Sequence, residues 1–354
     1  MEFFLSRLMN RIRPVSFASA ATSVREIAPE VPSVGKRAIF LPGEFEAVLG
    51  YPEDGDAQLE WTRISGGSHL HRATVEYMFE PAHIKNITLK AGRYVGRFPS
   101  VLPAARSHFG EADPIHFRDA FLSTSGLSGQ QFGHWVRDSL VSELHGRSLG
   151  LPSVGVARKL WPHEPAFREM SGLACRYLWE ARFDRLILLH DMGHNHYWER
   201  RFMELRQTLR DRAAFMPGQS AGSHIYLSRG AGARPRDPAN LALIQAMLED
   251  LGFRTVVPSS LSAQEIAVAV RDAEMVVSAE GSHLNHLHFF APDALKLLVL
   301  QDPHRFYAYH KGLVDFYDGT FGFIVGRPEP DTPDRFRIDL ENLKRTIHLL
   351  DGAS

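Results

Sequence analysis

A single cysteine, Cys175, in 354 residues leaves no internal disulfide framework and no cysteine-rich zinc site, and it fits a reducing compartment such as the cytoplasm. No apolar run approaches the roughly 20 residues that a helix needs to cross a bilayer, so no membrane span is expected. Neither sign of charge is in excess. Lys and Arg number 40 against 41 Asp and Glu, a formal charge of −1, so no global field exists to hold a nucleic-acid backbone. Nucleic acid is therefore not an expected partner, and any anion must be gripped by a local cluster. Internal repeats and low-complexity tracts are lacking too. What remains is an ordinary globular composition, 44% hydrophobic and 23% charged, with 18 histidines that cluster. At about 150 residues per domain the length suggests two domains.

Met1 to Val24 places Phe4, Leu5, Leu8 and Ile12 at helical spacing with Arg7, Arg11 and Arg13 between them. This reads as a short basic amphipathic helix, able to lie on a membrane surface, rather than a signal peptide, because no apolar stretch of adequate length follows the charges. The first half is irregular, punctuated by Pro and Gly, with short β-rich pieces at Ala38 to Leu41, Ile84 to Leu89 and Ala120 to Ser123. A helix is expected from Gln130 to Gly146, its apolar stripe made by Phe132, Val136, Leu140 and Leu144 and its end capped by Gly146. Arg185 to Leu189 reads as a strand and Trp198 to Leu209 as a helix.

From Ser223 strand and helix alternate. Strands are expected at His224 to Ser228, Arg254 to Val257, Met275 to Ala279 and Leu295 to Leu300. Between them fall a helix opened by Asp237 and Pro238 and ended by Gly252, one opened by a Ser262/Glu265 capping box, and one opened by Gly281-Ser282. This argues a parallel sheet with its ligand crevice at the carboxyl ends of the strands. The domains expected are residues 1–215 and 216–354.

Four clusters carry chemistry. Arg229, Arg234 and Arg236, with Asn240, follow a strand directly, and three guanidiniums on one loop repel unless an anion such as a diphosphate compensates them. The second is the turn Glu280, Gly281, Ser282, His283 and His286, in which Gly281 admits close backbone approach, Ser282 caps and Glu280 can accept from a sugar hydroxyl. The third is His134 with Asp138, four apart on one helix face, either able to act as general base. The fourth, His190-Asp191-Met192-Gly193-His194-Asn195-His196, holds three imidazoles and a carboxylate, but its spacing matches no metal motif, and no metal is expected. Gly218 to Gly222 spells G-x-S-x-G, yet a loop precedes it and a strand follows, the wrong context for a nucleophilic serine.

Together these residues resemble glycosyltransferase family 61. Its pattern of His-Trp-x-x-Asp-x-Leu falls on His134, Trp135, Asp138 and Leu140. A strand ending Ser-Arg with basic residues and an Asn falls on Ser228, Arg229, Arg234, Arg236 and Asn240, and a Gly-Ala/Ser-x-Leu-x-Asn turn followed by Phe falls on Gly281, Ser282, Leu284 and Phe289. The usual Asn is replaced by His286, with Asn285 one position earlier, and Glu280 stands where His is frequent. The resemblance covers Phe121 to Leu300. It implies an α/β, GT-B-like fold of two Rossmann-like domains facing a cleft. It implies a cytoplasmic, metal-independent inverting transferase without cofactor, moving a hexosyl or pentosyl group from a nucleoside-diphosphate sugar to a saccharide acceptor in capsular or surface polysaccharide assembly. Asp138 would be the base with His134 orienting it, and Arg229, Arg234, Arg236, Asn240, Glu280, Gly281, Ser282, His283 and His286 would bind the donor. Two other readings are a non-catalytic sugar- or nucleotide-binding protein that keeps the scaffold, and a metal-dependent hydrolase using His190 to His196.

Overall fold

The computed structural model describes residues 15–53, 55–97, 114–124, 127–230 and 237–353. Within these the chain is α/β and divides into two compact units, one of residues 15–31 and 70–205, the other of 32–69 and 206–353. The sequence expectation put a single division at 215/216. The contacts put it ten residues earlier, and they assign 32–69 to the second unit.

The first unit is built on a nine-stranded mixed sheet. Its strands are β1 (Ser23–Ala28), β2 (Thr74–Phe79), β3 (Ala82–Lys85), β4 (Thr88–Ala91), β5 (Tyr94–Arg97), β6 (Ile115–Leu122), β7 (Ser153–Val156), β8 (Cys175–Leu178) and β9 (Glu180–His190). β9 is the spine. It pairs in parallel with β6, Ala181 opposite Ile115 through Leu188 opposite Leu122, and antiparallel with β3 and then β2 on its other side. Its burial alternates at first and becomes continuous from Leu186 through Ile187 to Leu188, as in a strand covered on both faces. Phe79, Ile84, Leu89, Leu122, Val154 and Phe183 share its core. The sheet is thus only partly parallel: β1 pairs antiparallel with β2, and β3, β4 and β5 pair antiparallel in succession through two-residue turns.

The second unit holds β10 (His224–Leu227), β11 (Arg254–Val256), β12 (Met275–Ala279), β13 (Lys296–Gln301) and β14 (Thr320–Val325), paired in the order β11-β10-β12-β13-β14 and parallel throughout. All five residues of β12 are buried, as a central parallel strand demands. The Ser262/Glu265 capping box opens the helix Ala263–Val270 as expected. Residues 32–69 add an isolated bridge from Ile39 to Gly322 and the helix Ala57–Ser65. The buried carboxylates of Glu44 and Glu60 accept the backbone N–H groups of Val325 and Ala308 at 2.7 Å each.

Several local expectations change. The helix after β10 begins at Leu241, not Pro238, because residues 239–240 are engaged elsewhere: Ala239 N–H bonds to Phe336, and the Asn240 amide bonds both backbone groups of Ile338. Gly146 lies inside the helix Leu140–Ser148, pressed against the Phe121 ring where a side chain would collide, and the left-handed residue after that helix is Gly150. Ala38 to Leu41 forms only the Ile39 bridge. Of the N-terminal segment, residues 1–14 lie outside the described residues, Phe17–Ala20 is a single helical turn and β1 begins at Ser23. No described helix is long and apolar enough to cross a membrane.

Candidate active site

In the first unit the segment leaving β6 enters a helix at Phe132, and the helix widens into a π turn over Trp135–Ser139 before returning to α geometry at Leu140. Single π turns recur at functional sites because the extra residue redirects side chains. Here the turn gathers His134, Arg137 and Asp138. His134 Nδ1 is 2.7 Å from Asp138 Oδ2, and Arg137 Nε donates to Asp138 Oδ1 at 3.0 Å. Arg137 Nη2 also stands 2.9 Å from His134 Nδ1. One nitrogen cannot both donate and accept, and the bond to an ionised carboxylate is the stronger, so Nδ1 carries the hydrogen. Burial alone would raise the Asp138 carboxyl, but Arg137, the hydrogen bond from His134 and the charges of His134 and His194 outweigh it and hold the group at about 2. Such a carboxylate is a poor proton acceptor near neutrality. The pairing of His134 with Asp138 follows the expected spacing, and with the hydrogen held on Nδ1 by the ionised Asp138 the ring's lone pair lies on Nε2.

β9 runs parallel to β6, so the segments leaving both strands emerge at one end of the sheet. The His190 to His196 loop is thereby brought to Asp138. It is tied down by its polar residues: Asp191 accepts from Arg201 and Thr74 at 2.7 Å each, and Asn195 bonds Arg72 and Thr74 while accepting the Tyr197 and Trp198 N–H groups to open the helix His196–Ala214. His194 adopts φ +49° and stacks on Trp198 at 4.1 Å between centroids. Burial holds the His190 imidazole below its usual range. Among the described residues no group of three or more His, Cys, Asp or Glu could hold a metal ion, and Asp191 is ion-paired with Arg201.

In the second unit, chain order along the sheet is 2-1-3-4-5. The chain leaves β10 toward β11 on one side and later returns to β12 on the other, so the connections after β10 and β12 diverge and open a crevice at the strands' carboxyl ends. Arg229 stands at the first of these connections and Glu280 to His286 at the second. They meet. Arg229, 9% exposed, donates from Nη1 to the Glu280 carbonyl, and the absence of a side chain at Gly281 makes room for the guanidinium. His283 Nε2 lies 2.8 Å from Ser278 Oγ, and His286 Nδ1 donates to the His283 carbonyl at 2.9 Å. Burial, then the charges of Arg229, His286 and His310, hold the His283 ring well below the usual histidine range.

The other expected donor residues fare differently. Arg234 and Arg236 lie outside the described residues. Asn240 is occupied by Ile338, which uses both ends of its amide, so it acts as a clamp within the fold. The Glu280 carboxylate is paired with Arg305 at 2.8 Å. Ser282 is exposed and starts a three-residue 3-10 turn rather than capping a helix, and the α-helix that follows, Asn285–Phe290, has six residues. Positive charge at this turn therefore rests on the Arg229 guanidinium, with the His283 ring beside it held toward its neutral form. Sequence reasoning missed two residues. His194 was legible only as part of a histidine-rich loop. Arg305 sits after β13 at the same sheet end as Arg229, and the rule that ligands gather at carboxyl ends of parallel strands would have drawn attention to it.

Residues 132–297 match the model of the family described as Glycosyltransferase 61. That segment opens at the helix bearing His134 and Asp138, runs through Arg229 and Gly281, and ends within β13. Over this segment, a little under half of its length, the chain is similar to glycosyltransferase family 61, a class of enzymes that move a sugar from a donor to an acceptor. No curated protein matches it.

Proposed function

We propose that this protein is an inverting glycosyltransferase that uses a nucleoside-diphosphate sugar, binds it on the second unit, and transfers the hexosyl or pentosyl group to a saccharide acceptor handled by the first unit, in capsular or surface polysaccharide assembly. The GT-B arrangement, independence from metal and a cytoplasmic location belong to the same reading. The observation that carries it is the meeting of Arg229 with the Glu280-Gly281 backbone at the point where the strand order of the parallel sheet reverses. A buried guanidinium there supports diphosphate binding and offsets charge growing on the leaving group.

The acceptor hydroxyl oxygen attacks the anomeric carbon opposite the bond to the diphosphate. A new C–O bond forms as that one breaks, the released electron pair goes to the diphosphate oxygen, and the acceptor proton goes to His134 Nε2. Asp138 holds the imidazole in the tautomer that leaves Nε2 basic and stabilises the imidazolium. In an inverting reaction no covalent sugar-enzyme intermediate is needed.

Arg229→Gln tests the donor side. It removes a charged hydrogen-bond donor, so nucleoside-diphosphate affinity should fall by about 2–3 kcal/mol in calorimetry. Unchanged affinity across uridine, guanosine, cytidine, adenosine and thymidine diphosphates would remove Arg229 from the site.

A further inference from the structure

Two nitrogens border the space that Gly281 leaves open. A side-chain carbon at this position would collide with Arg229 Nη1 and stand 2.9 Å from His283 Nδ1. The far nitrogen of the same ring is anchored: Ser278 donates its hydroxyl to the Leu227 carbonyl at 2.7 Å, which leaves the Ser278 oxygen to accept from His283 Nε2–H at 2.8 Å. In the neutral ring, therefore, Nδ1 turns a lone pair toward Gly281. That lone pair would repel a phosphate oxygen brought in by Arg229, whereas a protonated Nδ1 would donate to it.

The groups facing this ring are Arg229 from the connection after β10, His286 on the helix Asn285–Phe290 and His310 on the helix Tyr309–Asp315. Glu280, the nearby carboxylate in sequence, has its side chain turned to Arg305. Before an anion arrives, burial, then Arg229 and the neighbouring imidazoles, favour the neutral ring. A bound diphosphate neutralises the Arg229 field and adds negative charge, which reverses the balance.

Building on the donor-site reading above, we propose that His283 is a second ligand of the donor diphosphate, taking up one proton from solvent as the diphosphate settles beside Arg229 and donating it as a hydrogen bond from Nδ1 to a phosphate oxygen. The leaving group then faces two cations while its bond to the sugar breaks. His283 occupies one of the unspecified positions of the Gly-Ala/Ser-x-Leu-x-Asn turn, so this is a property of this chain rather than of the motif.

Calorimetric titration of the full chain with uridine diphosphate, guanosine diphosphate and inorganic pyrophosphate, each in two buffers of different ionisation enthalpy, counts the protons taken up per ligand bound. Subtracting the count for His283→Gln removes protons gained by the ligand itself. The expected difference is about one proton at a pH lying between the free and bound values of the ring. Over that window the wild-type affinity should weaken up to tenfold per pH unit as pH rises. His283→Gln should bind roughly ten- to a hundredfold more weakly, with the pH dependence gone. Should the variant fail to fold, the ¹⁵N resonances of the wild-type His283 ring report the same event, moving from neutral to doubly protonated values on saturation. Equal proton counts in both proteins, or a ring that stays neutral in the complex, overturns the proposal while the donor site stands. Absence of binding by any of the three probes to the wild type overturns both.

Discussion

Asp138→Asn keeps the shape of the side chain and removes its charge. The wild-type carboxylate is 8% exposed, bonded to His134 at 2.7 Å and to Arg137 at 3.0 Å. Its descent from the ordinary 3.8 to about 2 corresponds to about 2 kcal/mol of folding stability. Because the native value is depressed, that contribution is complete above the unfolded value near pH 4 and disappears as the pH falls toward 2. The substitution also takes from Arg137, whose side chain is 7% exposed, the carboxylate it is ion-paired with, and removing one partner of a buried pair costs about 3–5 kcal/mol. Urea titrations at pH 7 should show a loss of about 2–5 kcal/mol that shrinks steadily below pH 4. In the proposed mechanism turnover depends on the same contact. Without the carboxylate the imidazole loses its enforced tautomer, so kcat should fall on the order of 10²–10⁴-fold while donor affinity stays unchanged. A variant as stable as wild type at pH 7, or one with undiminished kcat, would refute the assignment of Asp138 as the group that orients His134.

Two further outcomes follow from the same geometry. Gly281→Ala puts a methyl group where the Arg229 guanidinium sits, so it should cost about 1–3 kcal/mol in thermal unfolding and weaken diphosphate binding; a wild-type melting curve and affinity would show that the close approach is unimportant. Burial, and then the nearby Glu143 charge, push the Cys175 thiol up to about 12, so at pH 7 only roughly one thiol in 10⁵ is ionised and a thiol reagent should label the protein far more slowly than a free thiol. Rapid labelling in the absence of denaturant would contradict this.

Four of the five strands of the second sheet, all but β14, were readable because they are short runs bounded by residues with local meaning, such as the Ser262/Glu265 capping box. The start of the helix after β10 was not, because Asn240 is claimed by Ile338, 98 residues away, and a local rule cannot anticipate a distant partner. The antiparallel part of the first sheet escaped for a related reason: Ile84 to Leu89 looked like one strand but contains the turn between β3 and β4, with Asn86 at φ +54°. At the site, spacing alone brought His134 and Asp138 together. Which of them holds the proton depended on Arg137, one residue from Asp138, and on the π turn that lets all three converge.

The assignment of residues 32–69 to the second unit has a practical side. Glu44 satisfies an amide of β14 and Glu60 one of the loop before the helix Tyr309–Asp315, so a fragment cut at residue 206 would bury Val325 and Ala308 donors with no acceptor. Ribosomes deliver those two glutamates more than 240 positions ahead of the amides they serve. The early segment must wait for nearly the whole polypeptide to emerge, and attempts to express the second unit alone should begin by grafting it back.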